Sequence, residues 1–373
     1  MKNIVLIIFA TIQVIFGNAL FLHEYDSDKI KKTFAIQNNG ILEVNTCGGE
    51  IILKSWDKKE VLVEVEGIEK ENQIKLKIYS EENKIIVNYR PHWGWDGAKF
   101  TITTPKDINA TLKTSGGDIS LEGEFDGYIQ TSTSGGHITS NLLKGNATLN
   151  TSGGDILCGK ISGDGFVRTS GGNIKFKSVG KRIDAMTSGG DIEIGEVGGN
   201  GIIKTSGGDI EVGNINGEVD AMTSGGDIEI GEVLTNAKLI TVGGSISLDG
   251  ANGAVIVKTT GGDIILKKIK GNLHAVTTGG DIKVELIPIG NSTLTTVGGD
   301  IELFISEEIK ATINAFIEND WHRKNKNEII SDFKFEDYQK DGRLIRSTIH
   351  LNNGGNEIKL KTVNGNIVIR KIK

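Results

Sequence analysis

Asp184–Val197 reads DAMTSGGDIEIGEV, and the same fourteen letters return unchanged at Asp220–Val233. The offset is twice a shorter period. A hexad T-x-G-G-x-I starts at Thr114, Thr133, Thr151, Thr169, Thr187, Thr205, Thr223, Thr241, Thr259, Thr277 and Thr296. Eight of the ten intervals are 18 residues and two are 19. Eighteen residues are too few to enclose a core, so each repeat must bury its apolar face against its neighbours. The exact copy two periods apart marks duplication of a two-coil unit.

Within a period, apolar residues fall on alternate places: Ile192 and Ile194, then Val197 beyond a Gly-Glu turn, and later Val219, Ala221 and Thr223. Alternation of period two denotes strands with one buried face. No long window carries an apolar stripe at helical spacing, so helices are essentially excluded. The fold class is therefore all-β, a single-chain parallel β-solenoid of 18-residue coils. A left-handed hexapeptide β-helix also has 18-residue coils, but it needs an aliphatic every six residues, and here those places hold Gly198 and Lys204. A coil of two main strands and two tight turns fits better. Eleven coils at about 4.8 Å each make an array roughly 50 Å long.

Glycine supplies 51 of 373 residues, proline only 3, and the hydrophobic share is 37%. The chain has ample core and is not low-complexity. The Gly-Gly pair is expected to take positive φ at the coil's turn, as at Gly207, whereas Gly195 lies in an ordinary second turn. The next residue is usually Asp, with His137, Asn173 and Ser245 as substitutes. Short polar side chains there bond back to turn backbone. Stacked hexad threonines are expected to satisfy their hydroxyls along the column.

The organisation follows. Residues 1–19 read as a signal peptide: Met1-Lys2-Asn3, an apolar run Ile4–Phe16, and small residues Gly17 and Ala19 at a cleavage site. Retention of Ile4–Leu22 as an anchor is the competing reading. No cysteine lies near the site to carry a lipid, and no second apolar stretch of spanning length follows. Export to the periplasm, cell surface or medium is expected, with no transmembrane span after cleavage. Residues 20–110 form an N-terminal β cap, 111–305 the array, and 306–373 a C-terminal β cap with a final coil. A degenerate hexad marks each flank, Thr46–Ile51 and Thr362–Ile367. Such caps guard open edges against polymerisation.

Gly40–Val44, Gly49-Glu50-Ile51, Ser55-Trp56-Asp57 before Val61, Thr104-Pro105-Lys106, and Asn353-Gly354-Gly355 leading to Thr362–Ile367 together carry a family resemblance. The chain resembles the "putative adhesin" family of exported bacterial β-strand-repeat proteins, an adhesin-like domain of unknown function. The resemblance spans nearly all of the mature chain. It implies an exported β-solenoid and carries over no enzymatic residue. The long regular array is a departure that favours a scaffold.

Several chemistries can be weighed directly. Net charge is −6, from 42 basic and 48 acidic residues, so no basic footprint for nucleic acid exists. The serine of T-S-G-G recurs seven times with no histidine at matching period, which is structure and not a nucleophile with its base. The six histidines, His23, His92, His137, His274, His322 and His350, show no zinc spacing. Cys47 and Cys158 read as buried small apolar residues without a disulfide. A carbohydrate-active β-helix enzyme would need a unique carboxylate cluster, whereas the carboxylates here are repeated. Trp93 and Trp95, on one apparent hairpin tip, could recognise a partner or cover the open core.

The sharpest candidate is a carboxylate patch. Asp191, Asp209 and Asp227 fall in one column of successive coils, with Glu193, Glu211 and Glu229 in the next outward column. Ca²⁺ accepts several carboxylate oxygens and would relieve their repulsion. The alternative is a solvated acidic face whose aspartates serve turn bonds. No other cofactor is expected. The function expected is a non-enzymatic exported scaffold or adhesin-like protein whose partner is an envelope component, polysaccharide or protein. A carbohydrate-active enzyme and a filament-forming solenoid are the alternatives.

Overall fold

The computed structural model describes residues 29–91, 97–287, 290–319 and 327–372, so the segment read as a signal peptide lies outside the described residues. The described chain is all-β. It comprises 35 strands with a single 3₁₀ turn, Lys70–Lys75, among the described residues. Each regular coil gives a six-residue strand such as Ile192–Val197 to one long sheet and a four-residue strand such as Val219–Met222 to the other.

Successive coils pair in parallel at an offset of one period. Ile192 stands opposite Ile210, and Ile210 opposite Ile228. This column runs from Ile51 through Ile119 to Ile301 and Ile367, and every member is isoleucine. β-Branched side chains fit this pleated, packed position. Ile192, Ile194 and Val197 are buried, as are Val219 and Ala221 of the facing sheet. Each full burial of an Ile or Val contributes roughly 1.5–3 kcal/mol. The buried places in the long strand are first, third and sixth, because Gly195 and Glu196 both face out. The strand therefore bends at Gly195. The second turn is at Gly198–Asn200, and Gly195 belongs to a strand.

The reason for the hexad glycines differs from the expectation. None of the array's Gly-Gly pairs has positive φ, which among the hexads occurs only at Gly49, at 95°. What demands glycine is close stacking. A Cβ on Gly208 would overlap the carbonyl oxygen of Gly190 in the previous coil, and the same holds at every second hexad glycine. The first glycine is roomier: a Cβ on Gly207 would lie 3.3 Å from the Gly189 oxygen. Gly195, where a substitution was expected to be milder than at Gly207, is the tighter of the two, since its Cβ would overlap the Lys177 carbonyl oxygen.

Both ends depart from sequence order. The coil Ile41–Thr46 with Glu50–Trp56 lies between the array and the strands Lys84–Tyr89 and Lys99–Pro105, which come later in the chain. At the other end, Asn356–Thr362 with Ile367–Lys371 stacks directly on the last array coil, displacing Ala311–Glu318 outward. The two degenerate hexads thus seat on the array: Thr114 donates its hydroxyl to the Gly49 carbonyl at 3.0 Å, and Thr362 to that of Gly299 at 2.8 Å. The outermost strands are antiparallel or short. Lys29–Ala35 runs against Glu60–Glu66, Leu76–Glu81 against Lys84–Tyr89, and Asp337–Asp341, fully exposed, against Leu344–Leu351. Charge and reversed direction make these edges poor templates for another chain. Lys29–Ala35 and Asp337–Asp341 were not legible as strands, being short of apolar alternation.

Candidate functional site

The hexad corner is the most repeated arrangement in the molecule. Thr187 donates its hydroxyl to the Gly172 carbonyl of the previous coil at 2.9 Å and accepts the Gly190 N–H of its own coil at 3.3 Å. This pair of bonds recurs at each array hexad from Thr133 to Thr296. The threonine hydroxyls are satisfied, though by glycine backbone and not by one another.

The residue after the glycines forms a second ladder. Asp191 Oδ1 accepts the Asp209 N–H at 2.9 Å, and Asp209 Oδ1 accepts the Asp227 N–H at 2.8 Å. The irregular members keep the bond: His137 accepts from Asp155 through Nδ1, Asn173 from Asp191 through Oδ1, and Ser245 from Asp263 through Oγ. Every occupant has an acceptor, which explains the substitution pattern. A third ladder was missed by sequence reading. Asn146, Asn200, Asn236 and Asn272 each accept a backbone N–H from the next coil at the opposite turn. Its signal was asparagine at multiples of the 18-residue period, with Asn146 lying 54 residues before Asn200 and Asn200, Asn236 and Asn272 lying 36 apart.

The structure places Glu193, Glu211 and Glu229 opposite one another on the outer face of the long sheet. Lys175 continues the column and pairs with Glu193 at 2.5 Å, while Ser247 follows Glu229. Glu211 and Glu229 have no ion pair among the described residues. The aspartate column lies beside this face, each member with one oxygen engaged in the ladder. Among the described residues no group of three or more His, Cys, Asp or Glu side chains is placed to hold a metal. Trp93 and Trp95 lie outside the described residues.

The cysteines separate. Cys158 is buried and free, and burial pushes its thiol up to about 12, with the Ser140 hydroxyl acting in opposition. Such a thiol is inert. Cys47 is free but exposed, contrary to the expectation that both are buried: it holds the hexad place of Ser188, whose side chain points out of the corner.

On the short sheet, Asp184 pairs with Arg168 at 2.9 Å, and Asp220, its counterpart in the duplicated unit, with Lys238 at 3.3 Å. A shallow groove of about 560 Å³ runs past Asp220 and Lys238 between Arg182 and Ile256. A second groove, of about 660 Å³, crosses the long sheet at Leu157 and Lys175. It lies beside the register shift between Ser140 and Leu142.

The Toastrack DUF4097 family model matches residues 48–249 and 203–370, which together take in the array and most of both flanks. The chain belongs to the Toastrack DUF4097 family. The two matches overlap within the repeats, as in-register coils allow. Solved structures similar to this Toastrack chain include a "putative adhesin" from Bacteroides fragilis, 12% identical, covering 93% of this chain and 98% of that one at a TM-score of 0.25. A "putative cell adhesion protein" from Clostridium sporogenes is 9% identical, with 92% and 100% covered and a TM-score of 0.17. A "putative lipid binding protein" from Parabacteroides distasonis is 14% identical, with 74% and 97% covered and a TM-score of 0.26. At these TM-scores the likenesses carry no functional argument. No curated protein matches the chain. No helix among the described residues is long and apolar enough to cross a membrane.

Proposed function

We propose that this Toastrack protein is a non-enzymatic, exported β-solenoid that acts as an envelope-associated scaffold or adhesin-like rod, holding a polysaccharide or protein of the envelope on its flat outer faces. The observation that carries the reading is the use made of its reactive side chains. The threonine hydroxyls and one oxygen of each aspartate carboxylate that recurs along the array are engaged in inter-coil hydrogen bonds. A glycosidase needs two carboxylates free to exchange protons across a bound sugar. The charged, antiparallel outer strands favour a single rod over an end-to-end filament.

The test has two arms. The purified full chain is incubated with envelope polysaccharides and assayed for new reducing ends or unsaturated products. The expected result is none, and reproducible turnover overturns the reading. Intact cells are then treated with protease and probed with an antibody to the array, and loss of signal without permeabilisation assigns the rod to the surface. Retention until the envelope is opened assigns it to an enclosed compartment. Recovery of the protein only from the cytosol overturns export.

A further inference from the structure

The two outer faces of the rod differ in chemistry. Over six successive coils the short sheet turns one apolar side chain per coil outward: Phe166, Met186, Ile202, Met222, Ile240 and Ile256. The other outward place of each strand is charged. Met186 and Met222 are the two methionines after Met1. In the first five of these coils the long sheet turns out Lys175, Glu193, Glu211, Glu229 and Ser247 instead. A continuous outward apolar stripe gains free energy only when something covers it. Methionine and aromatic side chains are enriched where proteins meet.

The charges between these side chains can be covered without leaving one bare. Asp184 lies between Arg168 at 2.9 Å and Arg182 at 4.0 Å, and Asp220 between Lys204 at 3.7 Å and Lys238 at 3.3 Å. Their order also suits a second copy of the same face. Consider a two-fold axis along the strands, midway between Val219–Met222 and Ala237–Ile240, with the two rods antiparallel. Asp220 then meets Lys238 of the second copy, closing a ring of two aspartates and two lysines, and Met222 meets Ile240. One strand further out Ile202 meets Ile256, and beyond it Met186 meets Val276. Moving the axis onto either central strand would instead set Asp220 against Asp220 or Lys238 against Lys238. The like pair that remains is Lys204 against Lys258.

We propose that the chain pairs with a second copy of itself through the outer face of the short sheet, about this axis. The contact is isologous, with the two sheets about 10 Å apart and their strands nearly aligned. The shallow groove past Asp220 and Lys238 lies at its centre. Eight strands, from Gly165–Arg168 to Ser292–Thr295, cover about 38 Å by 13 Å, which buries roughly 1,000 Å² over both copies, the lower end for a specific interface. The pairing is side by side and leaves the charged ends of the rod as they are. It goes beyond the scaffold reading and does not depend on it.

Sedimentation equilibrium of the purified full chain tests it. A reversible dimer with a Kd at or below about 100 μM is expected for an interface of this size. Asp220→Lys and Lys238→Asp should each weaken self-pairing by about tenfold or more, because each sets like charges across the axis. An equimolar mixture of the two variants should pair within about threefold of wild type, since every charge across the axis then meets its opposite. Lys258→Glu should tighten the pair by about threefold or more, turning the like pair with Lys204 into an opposite one. Ser247→Lys, on the outer face of the long sheet, should leave pairing unchanged, and thermal melting shows that each variant is folded. A monomeric mass at about 1 mM, no recovery in the mixture, no tightening by Lys258→Glu, or equal loss in Ser247→Lys would each overturn the pairing. The scaffold reading survives all four outcomes.

Discussion

The Oδ1 oxygen of Asp191 accepts the backbone N–H of Asp209 at 2.9 Å, one full coil away along the rod. The side chain thus acts as an extra rung of the sheet at a corner where no strand pairing exists. Asp209→Ala removes the acceptor for Asp227 and should lower stability by about 1 kcal/mol, the usual net worth of such a bond. Asp209→Asn keeps an acceptor oxygen, as Asn173 does, and should stay within about 0.5 kcal/mol of wild type. Urea midpoints for the two variants decide this, and equal loss in both would mean that charge and not the rung matters.

Glycine stacking gives a sharper contrast between adjacent residues. Gly208→Ala forces a methyl onto the Gly190 carbonyl and should cost about 3 kcal/mol or more, as overpacking against backbone does. Gly207→Ala, with 3.3 Å to its nearest neighbour, should cost about 1 kcal/mol or less. Melting temperatures of the two variants provide the check. Equal effects would return the corner to an explanation from local φ.

Those corners also mark how far sequence reading reached. The 18-residue period, the parallel stack, the buried Ile192 and Ile194 and the use of Asp191 were all legible, because each leaves a periodic trace in the letters. The glycines were legible as necessary but not for the right reason. Positive φ and axial crowding both select glycine, so the letters alone do not separate them. The insertion of Ile41–Trp56 between the array and Lys84–Pro105 was not legible, because strand order at a distance has no local signature.

Because coils add in register, the array should tolerate loss of a whole unit. Deleting residues 187–222 joins Met186 to Thr223 and recreates the DAMTSGG junction of the duplicated copy. The shortened chain should fold, with its long axis reduced by roughly 10 Å in small-angle scattering. Deleting 187–213, one and a half periods, would bring a four-residue strand against a six-residue one and should abolish cooperative folding. A folded product from both deletions would argue that the ladders do not fix the register.

Acid should loosen the ends before the middle. Glu66, Glu124 and Glu307 are held below the ordinary carboxylate value of 4.5 by hydrogen bonds from Lys29, Lys144 and Lys371 respectively. Asp332 is held below 3.8, first by the Lys371 backbone N–H and then by Arg370. A carboxylate depressed in the folded state stabilises above its unfolded pKa, and that contribution fades as pH falls through the folded value. These pairs are solvent-exposed and screened, so the effect should be modest and weaker in high salt. Hydrogen exchange at pH 7 and pH 3.5, corrected for intrinsic rates, should show Lys29–Ala35 and Ile329–Ser331 losing protection before Ile192–Val197. Uniform loss along the rod would refute it.

The column Glu193–Glu211–Glu229 places like charges on directly paired residues, and among the three only Glu193 is held in an ion pair among the described residues. Opposed like charges in a sheet destabilise by some tenths of a kcal/mol up to about 1 kcal/mol. Glu211 has a glutamate on both sides, so Glu211→Lys should raise the melting temperature, converting two repulsions into two attractions. We propose that millimolar Ca²⁺ achieves part of the same relief in wild type by bridging neighbouring carboxylates of this column and the adjoining Asp191, Asp209 and Asp227. The aspartates have one oxygen each in the ladder and one left over, which makes the binding weak and the bridges open to water. Calorimetric melting with and without Ca²⁺ separates the contributions. Wild type should gain a small increment that Mg²⁺ reproduces less well, because Mg²⁺ gives up its waters reluctantly. The combined variant Glu193→Gln, Glu211→Gln, Glu229→Gln should melt higher than wild type without Ca²⁺ and gain nothing from adding it. The same Ca²⁺ increment in that variant would place the ion elsewhere, and no increment in wild type would leave the column as a solvated acidic face.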